Sequence, residues 1–339
     1  MSLDLKKSSF LALVFLLAGR LVAAEPPSPV SSVETLLVTW RDAARKRDVP
    51  VKIYYPSQGT APAPGKFPVI LFSHGLGGTR EGYGYLGKAW AAQGFVSVHV
   101  QHPGSDDSAY KGTSEPLRKL KAALEDPDNQ RNRPLDLRFA LDQLASLADD
   151  PNFLLHGHLD LEKVGIAGHS FGAFTTMAIA GESYGPGTGD QFSMPDPRIK
   201  AAIAMSTPAP PARMVATAAF DGVTLPVFHL TGTEDTLELA WEGLATAAVN
   251  RRIAYDRTTH VAAYLLVFKG GDHLVFSGRP GNRLAEHDEE FRRLVVDSSV
   301  AFWNAYLKRD SAALTWLEAG GFAAELGTLG AFEQKHPAP

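Results

Sequence analysis

Six short apolar runs, separated by stretches long enough for a helix, most constrain what this chain can fold into. The runs are FPVILFS, FVSVHV, KVGIAG, IKAAIAMS, LPVFHLTG and YLLVFKG. Their apolar residues are continuous rather than alternating, so both faces of each strand must be covered, which is typical of parallel sheets flanked by helices. The pattern therefore predicts an α/β fold with a mostly parallel central sheet and helices on both faces.

Two earlier segments have a different pattern. ETLLVTW and VPVKIYYP are rich in β-branched and aromatic residues and are joined by the charged stretch RDAARKRD. They predict an antiparallel leading pair at the edge of the sheet. Helices are predicted at residues 80–93, 134–147, 171–180, 236–249 and 286–307.

The N-terminus has the features of an export signal. Lys6 and Lys7 precede the apolar run 10–19, and Val22 and Ala24 fit the small-residue rule of a cleavage site. The apolar run is too short to span a bilayer comfortably. We therefore expect residues 1–24 to be a signal peptide and the mature protein to be secreted or periplasmic, with no stable membrane span after cleavage.

Charge and cysteine content exclude several classes of function. The chain has 339 residues and a formal net charge of -4, without the clustered basic residues that nucleic-acid binding requires, so no nucleic acid partner is expected. It contains no cysteine. Disulfides, thiolate nucleophiles and cysteine-ligated metals are therefore excluded.

The strongest functional signal lies where the third apolar run ends. Gly168-His169-Ser170-Phe171-Gly172 joins that run to the predicted helix at 171–180. A strand-to-helix turn this sharp needs small residues on either side of the serine, and it exposes the hydroxyl at the carboxyl edge of the sheet. We predict that Ser170 is a nucleophile; the alternative is an ordinary helix N-cap. His169 is interpreted as structural, because a residue adjacent to the nucleophile points away from it.

A serine nucleophile needs a base, and the base needs an acid to orient it. His273 is selected from eleven histidines because it directly follows the last apolar run; His102, after an earlier run, is the second candidate. Asp235 follows the run LPVFHLTG and is the predicted acid, with Glu234 as the competing assignment. The order serine, aspartate, histidine is expected when the nucleophile lies on a strand-to-helix elbow.

Acyl transfer also requires donors for the negative charge that develops on the carbonyl oxygen. The backbone N–H groups of Phe171 and of Leu76, in the glycine-rich loop SHGLGG, are the predicted oxyanion-hole donors. His74, Leu274 and Phe276 are predicted to contact the substrate. The apolar residues in this set favour an uncharged acyl group.

These motifs together resemble the α/β-hydrolase superfamily. FSHGLGG, GHSFGA, the aspartate after HLTGT and the histidine after KGGD carry the resemblance, which covers Lys66 to Gly278. Within the superfamily the chain is most similar to the platelet-activating factor acetylhydrolase and dienelactone-hydrolase-like branch, near the bacterial polyester-degrading cutinases. The resemblance implies one α/β-hydrolase domain at residues 25–339, with the serine, oxyanion donors and order of residues described above. Dienelactone hydrolases use a cysteine nucleophile, so that particular activity is not expected.

The expected function is a serine esterase that works through an acyl-enzyme, with no metal and no other cofactor. No large cap is inserted, which favours short to medium acyl esters of a small molecule or a polymer, including phospholipid acetyl esters and polyesters. Two alternatives remain open. One is a peptidase or acyltransferase that uses the same residues, and the other is a hydrolase fold that binds without catalysis.

Overall fold

A computed structural model describes residues 32–184, 193–209, 217–236, 248–278 and 287–337 of the protein. The predicted signal peptide at residues 1–24 lies outside these ranges, as does most of the helix predicted at 236–249. Within them, no helix is both long and apolar enough to cross a membrane.

The strands of the described residues form one sheet. They are β1 (Ser32–Asp42), β2 (Arg47–Gln58), β3 (Ala61–Pro62), β4 (Phe67–Ser73), β5 (Val96–Val100), β6 (Leu159–His169), β7 (Ile199–Met205), β8 (Val227–Glu234), β9 (Ala263–Asp272) and β10 (Gly330–Lys335). Their order across the sheet is β1-β2-β5-β4-β6-β7-β8-β9-β10, and β3 pairs with β2. The strands from β5 to β9 in this order pair in parallel, whereas β1, β2 and β10 are antiparallel to their neighbours.

Helices connect the strands and cover the sheet. They are α1 (Gly84–Ala92), α2 (Pro116–Glu125), α3 (Pro127–Leu147), α4 (Phe171–Ala180), α5 (Ile253–Arg257), α6 (Asp288–Leu307), α7 (Ser311–Glu318) and α8 (Gly321–Leu326). Short 3₁₀ turns lie at Asp107–Ala109, Thr217–Phe220, Ala248–Arg252, Val275–Ser277 and Gly327–Leu329.

The core has two halves, one on each face of the sheet. In β4, Val69 and Leu71 belong to the apolar cluster that includes buried residues of α3 and α4, while Ile70 and Phe72 belong to the cluster that includes α1 and α6. Alternate side chains of a strand point to opposite faces, so the continuous apolar run serves both clusters. The predicted α/β class, with helices on both faces and an antiparallel leading pair, is confirmed.

One predicted helix boundary is wrong in a way that matters for the site. The helix predicted at 134–147 begins at Pro127, where Asp126 caps it by accepting the Asp128 N–H at 2.9 Å. In the structure Pro134 lies inside the helix, and the preceding turn carries the buried Arg133.

Candidate active site

Ser170 occupies a strained turn between β6 and α4. Its backbone has φ 57° and ψ -117°, which few residues other than glycine adopt, and its N–H donates to the Met205 carbonyl at 2.9 Å. A Cβ atom on Gly168 would lie 2.2 Å from the Gly172 carbonyl oxygen, and one on Gly172 would lie 1.9 Å from the Ser73 carbonyl oxygen. The two flanking glycines are therefore required by direct contact with backbone.

The structure brings the three predicted residues into one hydrogen-bonded line. Ser170 Oγ lies 2.9 Å from His273 Nε2, and His273 Nδ1 lies 2.7 Å from Asp235 Oδ1. His273 follows the end of β9 and Asp235 follows the end of β8, so parallel neighbouring strands deliver both residues to the same edge. Ser170 and His273 retain 7% and 6% exposure, while Asp235 has none. The hydroxyl and the imidazole thus border solvent, and the carboxylate is enclosed.

Asp235 is held as an ionised carboxylate. Burial raises its pKa, but the charge and hydrogen bond of His273 and the charge of Arg251 outweigh burial, and the net pKa lies below the usual value. Arg251 Nε lies 3.4 Å from Asp235 Oδ1, and Thr231 Oγ1 donates to Oδ2 at 2.8 Å. No local sequence motif links Arg251 to the acid, so this contact was not predicted.

The competing acid, Glu234, has a different environment. Glu234 is exposed at the end of β8, directly before the buried Asp235. Asp272, which is adjacent to the base, accepts the N–H groups of Leu274 and Val275 at 2.9 and 3.1 Å. Asp272 therefore caps the turn that carries His273, and Asp235 is the acid that hydrogen-bonds to the imidazole, at 2.7 Å.

In the glycine-rich loop after β4, the N–H groups of the three glycines are all hydrogen-bonded. Gly75 N–H donates to Tyr83 Oη at 3.3 Å, Gly77 N–H to the Ser105 carbonyl at 2.9 Å, and Gly78 N–H to the Gly75 carbonyl at 3.0 Å. No acceptor for the N–H of Leu76 is found in the described part of the chain. The Phe171 N–H, at the first position of α4, has no intrahelical partner either. Neither of the two predicted oxyanion donors therefore has an acceptor among the described residues.

His169 connects this loop to the base. Its Nε2–H donates to the His273 carbonyl at 2.9 Å, so its Nδ1 must accept from the Tyr83 hydroxyl at 2.8 Å. Burial lowers the pKa of His169 well below its ordinary value, which keeps the ring neutral and this pattern intact. The structural interpretation of His169 agrees with these contacts, which run from the Gly75 N–H through Tyr83 to the backbone of His273.

Two predicted substrate contacts are placed in the interior. Phe276 is fully buried, and its ring centroid lies 6.1 Å from that of Phe268 and 5.9 Å from that of His169. His74 is 1% exposed; its Nδ1–H donates to the Gly75 carbonyl at 2.7 Å and its Nε2 accepts the His102 N–H at 3.1 Å. Phe276 therefore packs in the core and His74 hydrogen-bonds to the loop backbone, so neither side chain is accessible to a substrate. Leu274, in contrast, is partly exposed beside His273.

A second Ser–His–Asp arrangement lies beneath the loop. His102 Nδ1 lies 3.1 Å from Asp136 Oδ2, and His102 Nε2 lies 3.0 Å from Ser73 Oγ. All three residues have no exposure. Burial, together with the charge of Arg133, lowers the pKa of His102 well below its ordinary value. His102, the second candidate for the base, therefore has a serine and an acid of its own and does not contact Ser170.

Comparison with known proteins supports the family resemblance. A family model described as platelet-activating factor acetylhydrolase, isoform II, matches residues 43–134. Proteins named platelet-activating factor acetylhydrolase from Cavia porcellus, Bos taurus and Canis lupus familiaris are 30%, 29% and 27% identical to the chain, each over 34% of this chain and 32% of the relative. The chain thus matches about a third of the length of these curated relatives.

The matched family and the architecture agree with one another. The family segment spans the glycine-rich loop after β4, and the remaining residues of the site follow on later strands of the same mostly parallel sheet. This is the arrangement that the resemblance implies, with the nucleophile on a strand-to-helix elbow and the acid and base at later strand ends. Over residues 43–134 the chain is similar to the platelet-activating factor acetylhydrolase family, and its mostly parallel sheet with helices is consistent with the α/β-hydrolase fold.

Proposed function

We propose that the protein is a serine carboxylic-ester hydrolase in which Ser170 is the nucleophile, His273 the base and Asp235 the orienting acid. One observation carries this proposal: two hydrogen bonds connect the enclosed Asp235 carboxylate through His273 to the Ser170 hydroxyl, which borders solvent. The line ends on a serine with a strained backbone conformation. Strain of this kind is concentrated at functional sites.

The geometry supports a mechanism with two steps. His273 Nε2 takes the proton from Ser170 Oγ as the oxygen attacks the ester carbonyl carbon, and ionised Asp235 stabilises the imidazolium that forms. The carbonyl oxygen becomes negatively charged within reach of the N–H groups of Leu76 and Phe171. The imidazolium then protonates the departing alkoxide, which leaves an ester on Ser170. Water, deprotonated by His273, attacks the acyl-enzyme; the bond to Ser170 Oγ breaks, the carboxylic acid leaves, and the imidazolium returns the proton to the serine oxygen.

Short to medium acyl esters are the proposed substrates. Leu76 and Leu274 are partly exposed and apolar, which favours an uncharged acyl group. The three relatives are named as acetylhydrolases, so a phospholipid acetyl ester is one candidate and a polyester another. The signal-like residues 1–24 support a secreted or periplasmic location for this reaction.

A fluorophosphonate probe tests the proposal directly. We expect covalent labelling at Ser170, and p-nitrophenyl acetate and butyrate to be cleaved faster than the palmitate. Ser170→Ala should lose both labelling and turnover. Full esterase activity in that variant would disprove the assignment, and faster cleavage of matched anilides than of esters would favour a peptidase instead.

A further inference from the structure

Arg133 is a fully buried arginine that touches both parts of the proposed oxyanion hole. It projects from α3, at the residue directly before the predicted start of that helix. Its guanidinium has no exposure, and its hydrogen bonds go to neutral oxygens of Ser73, His74, Ser105 and Thr175. Among the described residues, no carboxylate lies within ion-pair distance of it.

Its first set of contacts holds the loop that carries Leu76. Nη2 donates to the His74 carbonyl, two residues before Leu76, and Nη1 donates to Ser105 Oγ at 2.8 Å. The Ser105 carbonyl in turn accepts the Gly77 N–H, directly after Leu76. The backbone is therefore fixed on both sides of Leu76, which determines where its free N–H points.

Its second set of contacts holds the elbow that carries Phe171. Nε donates to Thr175 Oγ1 at 3.0 Å, and the Thr175 hydroxyl donates to the Phe171 carbonyl at 2.9 Å. The guanidinium carbon also lies 4.4 Å from the centre of the Phe171 ring, within the range of a cation–π contact. One planar group therefore joins the first turn of α4 to the loop after β4.

We propose that Arg133 is the positioning residue of the oxyanion hole, fixing the Leu76 and Phe171 N–H groups relative to each other and lending its unpaired charge to the developing oxyanion. This inference rests on the proposed esterase function. Arginine suits the role because its fork donates in several fixed directions, which an ammonium group does not do. Burial lowers the pKa of Arg133 to about 9, so the group remains cationic at neutral pH.

The test compares an oxygen ester with the matching thionoester, whose sulfur is a poorer acceptor for the oxyanion hole. In Arg133→Met and Arg133→Lys we expect kcat for the oxygen ester to fall about 10- to 100-fold with KM little changed. The thionoester should lose much less, so the ratio of the two rates should fall. Thr175→Val removes only the link to Phe171 and should shift the ratio in the same direction by a smaller factor, which keeps the test valid if Arg133→Met does not fold.

Arg198→Ala provides the control for a structural effect. Arg198 also contacts α3, through Asp142 at 2.6 Å, but it lies directly before β7, at the opposite end of the strand from the site. We expect this variant to have a lower melting temperature but an unchanged ratio of the oxygen-ester rate to the thionoester rate. Equal loss of both substrates in the Arg133 variants would overturn the proposal. Fluorophosphonate labelling of Ser170 in the same samples separates that result from failure of the esterase function itself.

Discussion

The proposed active-site line of Ser170, His273 and Asp235 and the buried line of Ser73, His102 and Asp136 have similar hydrogen-bond distances. The hydrogen bonds are 2.9 and 2.7 Å in the first and 3.0 and 3.1 Å in the second. The first borders solvent at its serine and histidine, whereas the second has no exposure at any of its three residues. Distance alone therefore does not distinguish a nucleophile from a structural serine.

The surroundings of the two serines separate them. Ser170 follows a strand in a strained turn, and His273 is the side-chain partner of its hydroxyl. Ser73 is the last residue of β4, and its oxygen already accepts from Arg133 Nη2 at 3.1 Å while its hydroxyl faces His102. The buried serine has both of its bonding directions occupied and no space for a substrate.

The two acids also differ in what neutralises them. Asp235 is approached by Arg251 at 3.4 Å, with His273 as its closer partner. Asp136 accepts Arg45 Nη1 at 2.8 Å and Arg47 Nε at 2.9 Å in addition to His102. Asp136 therefore joins the leading strands to α3, and the same three residue types act as a structural connection instead of a proton relay.

Replacing each serine with alanine should give the largest difference between the two lines, a loss of kcat at Ser170 and a loss of stability at Ser73. Ser170→Ala should reduce kcat on the order of 10⁶-fold, because the nucleophile and its base act as a unit. Ser73→Ala should retain fluorophosphonate labelling but lose about 1 to 3 kcal/mol of unfolding free energy, because Arg133 and His102 lose a buried partner. Labelling stoichiometry and urea denaturation measure both. A Ser73→Ala protein that no longer labels would contradict the structural assignment of the buried line.

Exchange of each aspartate for asparagine should separate catalysis from stability. Asp235→Asn should lower kcat about 10⁴-fold, because the imidazole loses the acceptor that sets its tautomer. Asp136→Asn should leave Arg45 and Arg47 without their shared buried carboxylate and cost about 3 to 5 kcal/mol of stability. Turnover per folded molecule and chemical denaturation are the measurements. The opposite pattern, a stable but inactive Asp136→Asn protein, would mean that the buried line takes part in the reaction.

Tyr83→Phe tests the connection between the glycine-rich loop after β4 and the backbone of His273, which runs through His169. The change removes the acceptor of the Gly75 N–H and the donor to His169 Nδ1. We expect about 1 to 3 kcal/mol of lost stability and a fall in kcat of about 3- to 10-fold, because the loop and the His273 backbone are less firmly held. Thermal unfolding and steady-state kinetics measure the two effects. Stability loss with unchanged kcat would show that this connection does not position the site.

The smallest predicted effect is the pH dependence of stability at Asp235. Folding lowers its pKa below the usual 3.8, so its contribution to stability is present above that pH and is lost as the pH falls below it. The difference in unfolding free energy between the wild type and Asp235→Asn should therefore shrink as the pH falls from about 4 to about 3. Urea denaturation at several pH values measures this. A difference that grows over this range would mean that the carboxyl is protonated in the native protein.

Much of the fold was predictable because it depends on local patterns. The continuous apolar runs identified the six parallel strands, and the strand-to-helix signal gave α4 its observed bounds, Phe171–Ala180. The candidates Ser170, Asp235 and His273 follow strand ends, and topology brings strand ends together. Helix α2 and strand β10 were not predicted, because the first lies in a polar stretch and the second pairs with β9, which is distant in sequence.

The sequence by itself determined which residues have the chemistry for the reaction and on which edge of the sheet they lie, because both follow from strand and turn patterns. Only the tertiary structure decided which side chains are enclosed. Phe276 and His74 face inward. Arg251, which approaches Asp235, and Asp136, which accepts from His102, come from segments distant in sequence from their partners, as does Arg133. Burial and pairing are properties of long-range packing, which short-range periodicity does not encode. Packing therefore distinguishes the Ser–His–Asp line that borders solvent from the one that is fully enclosed.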